Sequence, residues 1–199
     1  MNSYEPEYGA HLLEEDKYKC PVYILALGYN DASTHENLHV ELGAVTDIAG
    51  GNTTTFYGGY AEIIRRVQAA VPGCITLCMT IPNPDTNRAT YNQAIRNIIT
   101  ELASNQVLLV EMEDFNDEFK SGTSIGKQAL EGHYTASGYQ AIAKVVEKAI
   151  SKTIDNNFDS FKTINEIMPE IDGMVQIGTT TITEAQFKKM LAFLDTIEG

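Results

Sequence analysis

Three short, continuous apolar runs, each followed by a stretch of helical periodicity, constrain this chain more than any other feature. The first is Cys20-Pro21-Val22-Tyr23-Ile24-Leu25-Ala26-Leu27, which closes on Gly28. Runs of this kind, apolar at every position, belong to parallel strands buried on both faces. Residues 31–55 are polar and rich in Thr, Asn and Gly, and read mostly as loop. Tyr60, Ile63, Ile64, Val67 and Val71 then recur at helical spacing until Pro72-Gly73 stops the helix. Cys74 to Ile81 forms the second run, closed by Pro82-Asn83-Pro84-Asp85, and Tyr91, Ala94, Ile95, Ile98, Ile99 and Leu102 line the second helix. Val107 to Val110 is the third run. A polar loop leads to His133, and Tyr139, Ile142, Ala143, Val146, Ala149 and Ile150 line the third helix. Strand, helix, strand, helix, strand, helix predicts an α/β fold with a parallel sheet covered by helices and right-handed crossovers. In such sheets ligands bind beyond the carboxyl ends of the strands.

This pattern divides the chain into three parts. Residues 1–19 are polar and acidic, with Glu14-Glu15-Asp16, and read as an N-terminal arm. Residues 20–152 form the α/β domain. Residues 153–199 read as a small appendage of helix, hairpin and helix. Its hairpin runs from Val175 to Ile182 and turns near Gly178-Thr179, and its last helix opens with Thr183-Glu184-Ala185-Gln186 as a capping box. So small a unit has little core of its own and is expected to pack on the main domain or on another copy of the chain.

Composition excludes several classes of partner. The net charge of −13 argues against nucleic acid, whose phosphates need a basic face, and suits a neutral ligand. No stretch approaches the ~20 apolar residues that span a bilayer, and the start of the chain has neither the basic nor the apolar part of a signal peptide. Localisation, cytoplasmic or virion-associated, is left open. Cys20, Cys74 and Cys78 are too few for a disulfide framework and read as small buried hydrophobes. Cys74 and Cys78 lack a second pair at zinc spacing, so no metal is expected. His35 and His39 are four apart, but their segment does not read as helix, and His11 lies in the arm.

Two groups of residues can carry chemistry at the carboxyl edge of the sheet. Gly28-Tyr29-Asn30-Asp31 follows the first strand directly. Alone it reads first as a strand-ending turn, since Gly, Asn and Asp all favour turns. An Asn held there can also donate a hydrogen bond to a developing oxyanion, and loss of such a donor costs ~3 kcal/mol of barrier. His133 lies in a loop before the third helix, with Thr135 or Ser137 as the N-cap. At that edge it can serve as a general base near neutral pH.

Taken together, these blocks resemble the SGNH/GDSL-type esterase and lipase family. Gly28-Tyr29-Asn30-Asp31 is similar to its Gly-x-Asn-Asp block, and Phe56 to Ile64 to the following helix. Pro72 to Leu77 is similar to its next strand, Tyr91-Asn92-Gln93-Ala94-Ile95-Arg96 to its Tyr-Asn helix, and Gly132 to Tyr139 to its histidine block. The match runs from about residue 20 to 150. It implies a flavodoxin-like three-layer α/β/α sandwich that hydrolyses carboxylic esters of carbohydrates or lipids without a cofactor. It further implies Asn30 as oxyanion donor and His133 as base, supported by Gly28, Asp31 and Glu131.

Two departures from the family pattern stand out. No Gly-Asp-Ser occurs among the 27 residues before Gly28, so the nucleophile is unknown; Ser3 follows no apolar strand, and Gly9 is the one candidate remnant of the family's glycine block. Leu130 stands where the acid of the Asp-x-x-His pattern is expected, next to Glu131. Without the family's first strand, the strand at 20–27 would have an open edge, which proteins usually cover. An upstream segment, a partner chain or a second copy is therefore expected to complete the sheet. The alternative is a catalytically inactive structural or binding module with this fold. The short stretch Ile177 to Gln186 is similar to the hairpin-helix endings of phage tail proteins, which would place such a module in a virion.

Overall fold

The computed structural model describes residues 19–33, 38–82, 85–120, 122–123, 125–126, 129–130, 133–157, 160, 174–177 and 180–183, the backbone alone for 129–130, 174–177 and 180–183. The three apolar runs become β1 (Val22–Leu25), β2 (Ile75–Met79) and β3 (Val107–Val110). They form one parallel sheet in the order β1-β2-β3, with Val22 opposite Ile75 and Thr76 opposite Val107. All five residues of β2 are buried, because helices cover both faces of the central strand.

Alternation along the strands assigns each side chain to a face. Cys78 and Val107 join Ile64, Tyr91, Ala94, Ile95 and Ile98 in one apolar cluster. Ile75, Leu77, Met79, Leu108 and Val110 join Val145 and Ala149 in the other. The first cluster is closed by α1 (Thr46–Gly50), α2 (Phe56–Ala70) and α3 (Thr86–Leu102). The second is closed by a 3-10 turn (Met112–Phe115), α4 (Asn116–Phe119) and α5 (Ala136–Asn156). This is the three-layer α/β/α sandwich that the alternation of strands and helices predicts.

Capping explains where the long helices start. Thr55 accepts from the Gly58 N–H, Asp85 from the Arg88 N–H and Thr135 from the Gly138 N–H, each satisfying a first-turn donor. Gly58 is needed for a second reason: a Cβ there would lie 2.0 Å from the Asn52 carbonyl oxygen. The helix α2 ends at Ala70, just before Pro72-Gly73, as the breaker pair requires.

Three segments differ from their sequence reading. The loop expected at 31–55 contains α1, whose Ile48 is buried and whose Asp47 carboxylate accepts from the Ala44 N–H at 2.9 Å and the Thr55 hydroxyl at 3.0 Å. The polar loop expected before His133 contains the 3-10 turn, α4 and a minimal hairpin, β4 (Ala129–Leu130) with β5 (His133–Tyr134). His133 is thus the first residue of a two-residue strand and not a loop residue. All these elements span five residues or fewer, too short for an apolar period to register. In the C-terminal part, β6 (Met174–Ile177) and β7 (Thr180–Thr183) pair antiparallel with Ile177 opposite Thr180, as the expected hairpin turning at 178–179 requires. The N-terminal arm up to residue 18, the helix expected at 164–171 and the last helix lie outside the described residues. Among the described residues, no helix is long and apolar enough to cross a membrane.

Candidate active site

The site is built where β1 runs out. After Leu27 the chain reaches Gly28, which is buried and holds φ at +113°, a conformation that side-chain-bearing residues rarely adopt. A Cβ there would also stand 3.4 Å from both Ile81 Cδ1 and Phe56 Cζ. The Ala32 N–H donates to the Gly28 carbonyl at 3.0 Å, and the Ser33 N–H to the Asn30 carbonyl at 2.9 Å. The chain therefore closes one tight turn with Tyr29 and Asn30 at its crown. Asp31 spends its carboxylate inside the turn, accepting from the Gly28 N–H at 3.1 Å. Asn87 of α3 donates its side-chain amide to the Ala32 carbonyl and ties the turn to the next helix. Asn30 is exposed, and its side chain has no hydrogen-bond partner among the described residues. Its amide is available to a ligand.

The second half is the β4–β5 hairpin. His133 pairs with Leu130 through the backbone, and its own side chain is exposed. Tyr134 follows, half-buried, with its ring 5.9 Å from that of Tyr139 in a T-shaped arrangement at 76°. Burial pushes the Tyr134 hydroxyl above its ordinary value, and the hydroxyls of Tyr29 and Tyr139 push it further. Each of Tyr29 and Tyr134 is the chain neighbour of a candidate catalytic residue: Asn30 follows Tyr29, and His133 precedes Tyr134. No hydrogen bond between Asn30 and His133 is present among the described residues, and Glu131 lies outside them. Tyr29 is held from one face by the Arg88 guanidinium, 4.0 Å from the ring centroid. Arg88 is in turn paired with Asp85 at 2.5 Å.

Behind this edge lies a polar network that periodicity alone does not reveal. Asn92 of α3 is fully buried. It accepts from the Ile81 N–H at 2.6 Å, donates to the Ile81 carbonyl at 2.9 Å and donates to Glu113 Oε1 at 2.7 Å. Arg96, one turn on, reaches Glu111 at 2.8 Å and Glu113 at 2.5 Å. Thr80 donates to Glu111 at 2.6 Å and accepts from the Met112 N–H at 2.8 Å. The segments leaving β2 and β3 are thereby locked to each other and to α3. The sequence signal is Glu111-Met112-Glu113, two carboxylates bracketing a core methionine at a strand end, opposite Asn92 and Arg96 four apart on one helix face.

The remaining candidates fall elsewhere. Cys74 and Cys78 are buried and free, and burial pushes the Cys78 thiol up to about 12. His39 places Nδ1 3.1 Å from the Ser33 carbonyl and Nε2 3.6 Å from Glu41, while His35 lies outside the described residues. A cavity of about 370 Å³ beside α5 is lined by Glu118, Ile125, Ser137, Gln140, Lys144 and Lys148, none of them an expected site residue.

The family model for GDSL-like lipases and acylhydrolases matches residues 4–146. No curated protein and no solved structure matches the chain.

Proposed function

Because the chain belongs to the GDSL-like lipase/acylhydrolase family, a family of ester hydrolases, we propose that it takes part in serine-dependent cleavage of carbohydrate or lipid acyl esters, with Asn30 and His133 in the chemical step. The observation that carries this reading is the tight turn after β1, closed by the Gly28 N–H on the Asp31 carboxylate, which leaves the exposed Asn30 amide without a partner among the described residues. In this mechanism a serine oxygen attacks the ester carbonyl carbon while His133 takes the serine proton. The Asn30 amide donates to the carbonyl oxygen as it becomes an oxyanion. His133 then gives its proton to the departing alcohol, and a water activated by the same imidazole cleaves the acyl-serine bond.

The serine belongs, in this reading, to a segment that pairs with the outer edge of β1. The Ile75 N–H donates to the Pro21 carbonyl, so by alternation Val22, Ile24 and Ala26 turn their backbone groups away from β2. Among the described residues no strand lies on that side. Ile24, in the middle of an apolar strand, is 51% exposed, and Leu27 is 41% exposed. An uncharged, apolar open edge is what proteins usually cover, and a further strand there would end beside Asn30.

One observation favours a second reading, a non-catalytic binding or structural module. The residue paired with His133 across the hairpin is Leu130, so the position three before the histidine holds no acid to orient it. Hydrolysis of p-nitrophenyl acetate separates the two. The assay compares the chain alone with the product expressed together with the coding sequence immediately upstream, each with and without His133→Ala. Activity that depends on His133 supports the hydrolase. Activity unchanged by His133→Ala, or none in either preparation, leaves the module.

A further inference from the structure

The turn after β1 is closed by its own bonds. The Ala32 N–H donates to the Gly28 carbonyl at 3.0 Å, the Ser33 N–H to the Asn30 carbonyl at 2.9 Å and the Gly28 N–H to the Asp31 carboxylate at 3.1 Å. Both ends of the turn are also anchored to the domain. Gly28 is buried, Ala32 is 3% exposed, the Val40 N–H donates to the Asp31 carbonyl at 3.0 Å and Asn87 donates to the Ala32 carbonyl. The crown has less to hold it. Tyr29 is 53% exposed, and against its ring lies the Arg88 guanidinium, with Cζ 4.0 Å from the centroid. Arg88 follows Asn87 in the first turn of α3, and the Asp85 carboxylate, which caps that helix, holds the guanidinium at 2.5 Å. The Arg88 side chain is only 23% exposed, and its Nε–H is buried with no acceptor among the described residues. An arginine that served only as the partner of an exposed Asp85 could extend into water and hydrate that N–H. Burying it costs stability, and the placement of the cation on the tyrosine face offsets that cost.

We propose that Arg88 is a positioning residue for the Asn30 turn: its guanidinium clamps the Tyr29 ring and so holds the neighbouring Asn30 amide in one place before a ligand arrives. The clamp is a property of the fold, and only its use, the aiming of an oxyanion donor, rests on the ester-hydrolase reading. A donor stabilises developing charge to the extent that it need not reorganise as the charge appears. Asn30 is exposed and its side chain has no hydrogen-bond partner among the described residues, so its aim depends on how firmly the adjoining backbone is held. A cation on the neighbouring ring suits this task, because it is attracted to the whole ring face and leaves the Asn30 amide free for a ligand. Asp85 serves twice: Oδ1 accepts from the Arg88 N–H at 2.8 Å and Oδ2 takes the guanidinium at 2.5 Å. An asparagine at position 85 would keep the cap and lose the charge that holds Arg88.

The test is amide hydrogen exchange of the whole chain, followed by NMR at the Ala32 and Ser33 N–H groups that close the turn. Arg88→Ala should speed both about fivefold, the rise in open turn that loss of one such contact allows. Arg88→Lys, which keeps the charge without the flat, weakly hydrated guanidinium, should fall between the two. Asp85→Asn should speed the same two amides and leave those in the middle of α3 unchanged. Arg66→Ala, which removes an exposed pair with Glu62 on α2, should leave the turn as it is. Unchanged exchange at Ala32 and Ser33 in Arg88→Ala, or an equal rise throughout α3, overturns the clamp. In p-nitrophenyl acetate hydrolysis by the full-length gene product, Arg88→Ala should lower kcat about fivefold with KM little changed, since the donor acts in the transition state. A higher KM at unchanged kcat overturns the positioning role. Exchange is read without turnover. A gene product with no esterase activity but a loosened turn in Arg88→Ala would therefore count against the hydrolase reading alone, and activity with an unchanged turn against the clamp alone.

Discussion

Replacing Asn92 by alanine should cost this protein about 3 kcal/mol of stability. The side chain is fully buried and makes three hydrogen bonds at 2.6, 2.9 and 2.7 Å. Two go to the Ile81 backbone, and each is worth about 1 kcal/mol net. The third goes to the Glu113 carboxylate, and hydrogen bonds to charged groups are worth about 1.5–3 kcal/mol. Glu113 keeps Arg96 at 2.5 Å, which limits its share to the lower end of that range. The Ile81 N–H, by contrast, is left buried without an acceptor, a penalty of the same order as the bond it lost. For a chain of this size each kcal/mol moves the melting temperature by about 3 °C, so the variant should melt about 10 °C lower. Urea titration followed by circular dichroism gives the free energy, with Gln93→Ala as control. Gln93 is exposed on the same helix and, among the described residues, donates its side-chain amide to Asn97 at 2.9 Å. If Asn92→Ala loses less than about 1 kcal/mol, or no more than the control, the network does not hold the carboxyl edge together and the reasoning fails.

Two further variants probe the frame of the site. Gly28→Ala must place a side chain at φ +113° against Ile81 and Phe56, and should lose about 2 kcal/mol in the same titration; a neutral outcome would mean that the turn carrying Asn30 relaxes freely. Cys78 is protonated up to about pH 12 in the folded chain against an ordinary value of 9.0, so the unfolded chain releases this proton first as pH rises. Its contribution is complete below pH 9.0 and is lost as pH climbs from there towards 12, and Cys78→Val should make the fall in stability over that window shallower. An identical slope in the variant would show that the thiol does not titrate there.

Much of this architecture is legible in the sequence because it is encoded locally. The residues of β2 are apolar at each buried position but Thr76, and the stop at Pro72-Gly73 and the cap at Thr135 are properties of a few adjacent residues. The turn at Gly28 is legible in outline for the same reason. What escapes is whatever depends on pairing across the chain. Asp31 is read from the sequence only as a supporting residue, and the bond its carboxylate accepts from the Gly28 N–H is seen only in the fold. Glu111 and Glu113 fall at the start of the polar loop read before His133, and only the fold shows Arg96 and Asn92 meeting them from a helix. The short elements before His133 escape because four residues make little more than one helical turn, and two make no recognisable strand.

The decisive experiment is the rate of p-nitrophenyl acetate hydrolysis by the full-length gene product, compared with its His133→Ala variant. Removing the histidine of a serine-histidine pair costs up to about 10⁶ in kcat, so the variant should fall to near the background rate. A fluorophosphonate should label one serine in the active protein, with loss of fluoride, and should label the variant far more slowly. Hydrolysis that proceeds at the same rate without the His133 imidazole would contradict the assignment of this edge of the sheet as the catalytic site.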